Sequence, residues 1–493
     1  MFAALPDAFG VSLGYTNDPV TFKNRSTAAP STRNMACKAQ TSGTIYLRHG
    51  PRTELHEIIR QEYARHQDRA VPRNTLRQAV QGMLDTFAYQ NFDAAAGEYT
   101  NRCCRPPRET EMRPWRLVTE IGWTGGGVLA YPLVLCRDAL GADAEAPLAA
   151  AMSGEQLFDR IADAYNENSG LLNDLMAPNA AGSQVNGWWT GYGLVKDCHC
   201  AYTVGSAVHY LTKTMDYLHQ NGKPCPAKWM DAAQKVLHTV MDLQRADGAF
   251  GYTYSTQERK VLDWSGFAGC WFAPALVYFY RLTGEERCLH SAEKALDYYH
   301  TFVKDLNCYG TPMDTWKAVD EEGNLAFMRG SRLLYEQTGK AEFLQYMKDS
   351  AGYEFLWRYG YKTYPEHTPL NQGWSACGGA VTSVSNPHIH PMGVIIDTDL
   401  RYLARVTGDG YYASRAADSA AWMLQCLELY PAATGYGRYG ILSERWCPSD
   451  GLDVERFSDG RPFSSWFSHN LWASACVLEA ACELLLEIEH KKG

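Results

Sequence analysis

Carboxylates and imidazoles recur at comparable places along this chain, each just before an apolar helical stretch. The segments are Thr119-Glu-Ile-Gly-Trp, Lys196-Asp-Cys-His-Cys, Leu262-Asp-Trp-Ser-Gly, Asp320-Glu-Glu-Gly-Asn, Pro387-His-Ile-His-Pro and Phe467-Ser-His-Asn. Glu120, Asp197 and Asp263 supply carboxylates from different segments, and His199, His388, His390 and His469 supply imidazoles. Two carboxyl groups converging on one space can divide acid and base work. Cleavage of a bond between sugars needs that division: one group protonates the leaving oxygen while the other, ionised, attacks or activates water beside an oxocarbenium-like centre. Asp263 is the most pointed of the three. It closes the loop 252–263 directly before Trp264 and the apolar run 266–280, and such surroundings desolvate a carboxyl and suit it to proton donation. Each of these carboxylates also stands where a helix N-cap would, so capping is the competing use of the same residues.

Aromatic residues crowd the same segments. Trp123, Trp188, Trp189, Trp264, Trp316, Trp374 and Trp446 lie in or just after them, and totals of 14 Trp and 30 Tyr exceed what a helical core needs. Flat apolar rings are good platforms for sugar faces. Arg113 and Arg116 are loop cations able to hold a carboxylate on a substrate. The run Asp197-Cys-His-Cys200 has metal-ligand chemistry, but four adjacent residues cannot all face one ion, and neither a metal nor a cofactor is expected. Two other readings use the same segments. A lyase or sugar epimerase would abstract a proton with His or Tyr, placing weight on Tyr202, Asn386 and His388. A non-catalytic sugar-binding protein would keep the tryptophans and tolerate loss of the carboxylates.

The elements that must position these residues follow from a repeat. Short glycine turns fall at Gly141, Gly222, Gly284, Gly339 and Gly408, three of them in the form Leu282-Thr-Gly-Glu, Gln337-Thr-Gly-Lys and Val406-Thr-Gly-Asp. Each reads as a helix stop followed by a helix start. Long loops rich in Gly, Trp and Pro separate the pairs, and Thr75-Leu-Arg-Gln78 is a capping-box start for the first helix. Helix, long loop, helix and short turn, repeated, give six αα-hairpins that close into an all-α (α/α)6 toroid over residues 73–493, after a 1–72 extension and linker with some β-structure. The helices after the long loops, apolar nearly all round at 266–280 and 471–486, form the inner ring, so all the long loops emerge at one end. Inner-helix N-termini point there too and favour an anionic ligand.

Composition removes other classes. Lys and Arg total 46 against 55 Asp and Glu, a net charge of -9 with no basic block, which excludes a nucleic-acid partner. No apolar stretch is long enough to span a membrane. Fifteen cysteines without a regular framework, and a start lacking a basic leader, lead us to expect reduced thiols and a cytoplasmic protein.

Two motifs carry a family resemblance. The runs Glu120-Ile-Gly-Trp-Thr-Gly-Gly-Gly and His199-Cys-Ala-Tyr-Thr-Val-Gly resemble those of glycoside hydrolase family 154, β-glucuronidases within the six-hairpin (α/α)6 glycosidases. By position alone, Asp197 and Asp263 with Leu282-Thr-Gly-Glu285 also resemble unsaturated glucuronyl hydrolases. The resemblance implies exo-acting removal of a terminal uronic acid from an oligosaccharide or glycoconjugate, with two of the three carboxylates as the catalytic pair. Residues 1–72 are too short for the complete β-rich domain that precedes the toroid in family 154.

Overall fold

The computed structural model describes residues 2–5, 8–11, 55–65, 69–93, 98–100, 102–103, 113–114, 119–123, 125–141, 145–176, 186–190, 193–310, 317–362, 375–383, 386–427, 429, 440, 442, 444–446, 465–466, 468–469 and 471–490. Its α-helices are α1 (Leu55–Arg65), α2 (Leu76–Thr86), α3 (Gly127–Leu140), α4 (Glu145–Asp163), α5 (Ala201–Gln220), α6 (Ala227–Asp242), α7 (Phe272–Thr283), α8 (Glu286–Lys304), α9 (Glu322–Thr338), α10 (Ala341–Trp357), α11 (Asp397–Thr407), α12 (Gly410–Cys426) and α13 (Leu471–His490). Helices α3, α5, α7, α9, α11 and α13 pack side by side in that order, and α13 returns to α3. This closes the inner ring. The alternate helices α2, α4, α6, α8, α10 and α12 lie outside it, and the chain is an (α/α)6 toroid.

Local chemistry explains the alternation. Thr75 and Gln78 form the expected capping box, with Gln78 N donating to Thr75 Oγ1 at 3.2 Å and Thr75 N to Gln78 Oε1 at 2.9 Å. The Thr-Gly turns share one device. Gly284, Gly339 and Gly408 cap α7, α9 and α11 in the left-handed region, with φ of 72°, 65° and 70°, where a side chain would be strained. The threonine before each glycine donates to the carbonyl four residues back, at 2.8, 2.7 and 2.6 Å. Its oxygen also accepts from the N–H just past the glycine, at 3.2, 3.2 and 3.3 Å. One hydroxyl thus finishes one helix and aims the chain into the next.

The inner ring is less apolar than its pattern suggests. Lys213 of α5 is 5% exposed and reaches Glu479 at 2.5 Å and Glu483 at 2.8 Å on α13, with its ammonium 4.1 Å from the centre of the Tyr131 ring. Arg329 of α9 pairs with Asp399 of α11 at 2.8 Å, and Arg332 meets the same carboxylate at 3.2 Å. Thr398 Oγ1 donates to Glu483 at 2.6 Å. These groups tie α3, α5, α9, α11 and α13 together below the loop end.

Helix α1 lies within residues 1–72. It packs on α10 and the start of α12, with Arg60 forked onto Asp409 at 2.6 and 2.8 Å and the Tyr63 hydroxyl donating to Asp418 at 2.5 Å. The run Thr44-Ile-Tyr-Leu-Arg, whose residue types suit a strand, lies outside the described residues.

Candidate functional site

Every inner helix begins at the loop end, so side chains from the six starts face one space. Trp123 comes from the approach to α3, Tyr202 from α5, Trp271 from the turn into α7, Glu322 from α9, His390 and Met392 from the approach to α11, and Trp472 from α13. Contacts link them. Trp123 stacks on Trp472 with ring centres 5.5 Å apart, and Trp472 stacks on His390 at 6.0 Å. Tyr202 meets Trp271 edge-on at 5.9 Å and turns its hydroxyl to Met392 Sδ at 3.9 Å. Glu322 is the carboxylate beside that hydroxyl, and burial together with the Glu322 charge pushes the Tyr202 phenol well up. Tyr202 is therefore a neutral hydroxyl able to donate to Glu322.

A buried layer fixes Glu322 and Met392 from behind. Glu321, next to Glu322, points to Glu354 of α10, and burial and the negative charge of the Glu354 carboxylate push its carboxyl well up. Arg358 neutralises that charge, donating to Glu354 at 2.7 Å, to Asp397 at 2.8 Å and to the Gly393 carbonyl at 2.8 Å. Gly393 has no room for a side chain, since a Cβ there would lie 2.2 Å from Glu321 Oε1. The glycine lets the turn carrying Met392 close onto the carboxyl pair.

The glycines of the Glu120-Ile-Gly-Trp-Thr-Gly-Gly-Gly motif serve packing. A Cβ on Gly122 would sit 2.1 Å from the Thr203 carbonyl, and one on Gly127 would sit 3.0 Å from Tyr210 Cβ. These glycines press the start of α3 onto α5, which seats Trp123 in the ring of side chains. Glu120, in the same motif, is 2% exposed and lies in a short strand paired with Leu175.

The other expected residues are dispersed. Asp197 directly precedes, and Asp263 ends, a strand of one small antiparallel sheet, in which Cys198 pairs with Ser255, and Thr253 pairs with both Cys200 and Asp263. They stand at opposite ends of it with a strand between, so the sheet does not bring them together. Asp197 is exposed, adopts a left-handed φ of 60° and accepts from Asn186 at 2.7 Å. Asp263 accepts from Ser265 N at 2.8 Å and pairs with Lys317 at 2.5 Å, its side chain one-third exposed. That is the geometry of an ion-paired turn cap, without the apolar enclosure expected around it. Asp263→Asn should accordingly leave turnover near wild type, and Asp263→Ala should cost about 0.5–2 kcal/mol of stability. Assaying both variants for rate and melting checks this; a loss of about 10²-fold or more in the Asn variant would restore Asp263 as catalytic.

His199 is buried and fully engaged, its Nδ1 2.8 Å from Asp174 and its Nε2 2.9 Å from Ser169, while Asp174 accepts from Cys200 N at 2.9 Å. It clamps the start of α5 and offers no face to a substrate. Strand alternation explains why Asp197-Cys-His-Cys200 builds no metal site: Cys198 and Cys200 project to one side and His199 to the other. Burial raises both thiols, Cys198 to about 11. Among the described residues no group of three or more His, Cys, Asp or Glu is placed to hold a metal ion, every cysteine whose side chain is described is a free thiol, and no helix is long and apolar enough to cross a membrane.

Trp188 and Trp446 are buried at 1% and 2% exposure, so they fill the loop layer instead of lining a cleft. Trp264 is half-buried under the Arg245 guanidinium, 5.1 Å from its ring. Trp189, His388, His469 and Arg113 lie in short strands of which only the backbone is described, and Trp316, Trp374 and Arg116 lie outside the described residues.

Glu322, Trp271, Met392 and Trp472 are the residues that sequence reasoning did not single out. Helical spacing holds the signal. Glu322 and Arg329 are seven residues apart on α9, and Trp472, Cys476, Glu479 and Glu483 follow the same stripe on α13, so each set shares the face that turns to the axis.

No protein-family model matches the chain, and no curated protein matches it. The family 154 resemblance therefore rests on the motifs alone. Solved structures do match. A glycoside hydrolase family 76 mannosidase from Bacteroides thetaiotaomicron superposes with a TM-score of 0.53 at 14% identity, over 84% of this chain and 99% of that one. A cellobiose 2-epimerase from Spirochaeta thermophila gives 0.52 at 12% identity, over 90% and 99%. A D-mannose isomerase gives 0.52 at 10% identity, over 84% and 97%. At these identities what is shared is the toroid.

Proposed function

We propose that this chain is a glycoside hydrolase that releases a terminal uronic acid, β-glucuronate by the motif resemblance, at the loop end of the toroid. The observation that carries the reading is the Tyr202–Glu322 pair set among Trp123, Trp271, Trp472 and His390. Structural neighbours named as a mannosidase, an epimerase and an isomerase, all acting on sugars, support it. The inner-helix N-termini supply positive ends for a uronate carboxylate.

In this reading Glu322, held by the Tyr202 hydroxyl, is the base, and Glu120 is the acid. Helices α3 and α9 stand opposite each other in the ring of six, the arrangement that this reading requires of two groups acting from either side of a sugar. Glu322 takes a proton from water, the water oxygen bonds to the anomeric carbon, the glycosidic bond breaks, and Glu120 protonates the departing oxygen. A panel of aryl glycosides tests the uronate part. Turnover of the 4-nitrophenyl β-glucuronide above the β-glucoside and α-mannoside is expected; turnover of a neutral glycoside alone would overturn it.

A second reading has its own observation. His390 is 4% exposed and stacked on Trp472, close to the Met392 that the Tyr202 hydroxyl contacts, and an imidazole and a phenol suffice for proton transfer at a sugar C2. An epimerase or isomerase would leave the glycosidic bond intact.

A further inference from the structure

A cavity lies outside the ring, between α1 and the end of α10. Its volume is about 690 Å³, and its walls include Tyr63, Phe355, Trp357, Tyr359 and Tyr361, with Ile58 of α1 on one side. Arg415 of α12 forms part of the lining although it is only 1% exposed. Its Nη1 donates to the Tyr411 hydroxyl at 3.2 Å and its Nη2 to the Arg358 carbonyl at 2.8 Å, while its Nε is buried without a partner.

Among the described residues no carboxylate pairs with this cation. Arg415 makes no ion pair among the described residues; Asp418, one turn along α12, is taken by the Tyr63 hydroxyl and by Arg69 at 3.3 Å. Arg358, the other guanidinium in the lining, is neutralised by Glu354 and Asp397, and Glu62 on the rim of α1 pairs with Arg65. The Phe355 and Tyr63 rings lie 4.2 and 4.8 Å from the Arg415 guanidinium carbon, which leaves its Nε–H edge to donate to a partner. Buried charges are ordinarily paired, and buried donors ordinarily bonded.

We infer that this cavity binds a small organic anion whose carboxylate meets the Arg415 guanidinium and whose ring packs between the aromatic walls. Size, apolar walls and one unpaired cation together select a ring-bearing monocarboxylate. An aromatic acid and a uronic acid share that chemistry.

Calorimetric titration of the full chain with benzoate tests the site, with D-glucuronate as the sugar-acid arm and benzamide as the neutral control. Saturable binding of one of the two acids is expected, at least about tenfold weaker for benzamide and for Arg415→Gln, in keeping with loss of a charge-assisted bond. Ile58→Trp, which fills the cavity from the outer helix, should weaken binding comparably while leaving the melting temperature unchanged. Tighter binding of benzoate assigns an aromatic acid, and tighter binding of glucuronate a sugar acid; either upholds the site. Failure of both acids to bind, or binding that Ile58→Trp leaves intact, overturns it. The Ile58→Trp and benzamide comparisons decide the matter even if Arg415→Gln does not fold.

Discussion

Glu322→Gln should lower turnover by about 10²- to 10⁴-fold while the melting temperature stays close to that of the parent. The two parts of this expectation have separate causes. Glutamine keeps the size of the side chain and an oxygen to accept from Tyr202, so the helix start and the surrounding rings lose nothing in packing. It cannot take a proton from water, so the reaction loses its base. A residue that merely filled the end of α9 would tolerate the change in rate. The layer behind it sharpens the contrast, because Glu321, Glu354, Arg358 and Gly393 hold the backbone of Glu322 independently of its own carboxylate. Measured kcat and thermal melting of the variant check both parts, and near-parental turnover would remove Glu322 from the chemistry.

Lys213→Met should destabilise the fold by about 3–5 kcal/mol, the range for stripping one partner from a buried ion pair. Lys213 stands between Glu479 and Glu483, both on α13, with the Tyr210 hydroxyl donating to Glu479 at 2.9 Å and the Tyr131 hydroxyl to Glu483 at 3.1 Å. Its charge holds Glu483 well below the usual carboxylate range. Without the ammonium, two carboxylates share a space that water does not reach, and one must be protonated or displaced. Methionine fills much of the volume of the lysine stem, so the loss reports charge more than cavity. Adding Glu479→Gln to the variant should recover part of the loss, whereas a purely steric role for Lys213 would leave the double variant no better than the single one. Denaturant midpoints of the three proteins give the comparison.

What could be read from the sequence was set by chemistry acting over a few residues. A glycine needed in the left-handed region and a threonine bridging it are local requirements, so the Thr-Gly turns mark the hairpins without knowledge of what packs where, and the capping box at Thr75 marks the first helix in the same way. Closure of six hairpins into a ring follows from their number and from the side on which the loops emerge. The site depended on direction instead. Asp263 and Glu322 both stand before or at the opening of an apolar helical stretch and look equivalent in the chain, yet Lys317, more than fifty residues from Asp263, claims one carboxylate, and Tyr202, from another repeat, faces the other. His199 shows the same limit: its neighbours in sequence are cysteines, and its partners Ser169 and Asp174 arrive from the preceding loop. The buried charges of α5, α9, α11 and α13 were legible as spacing but were outweighed by the apolar runs of α7 and α13.

Incubating the protein in deuterium oxide with a disaccharide that bears a terminal β-glucuronate, and following the proton spectrum, tests the central claim most directly. The account predicts release of free glucuronic acid, first seen as the α-anomer because water enters opposite the leaving group across the α3–α9 gap, with no deuterium at C2 of either sugar. An intact glycosidic bond with deuterium appearing at C2 would contradict it and assign the site to proton abstraction by His390.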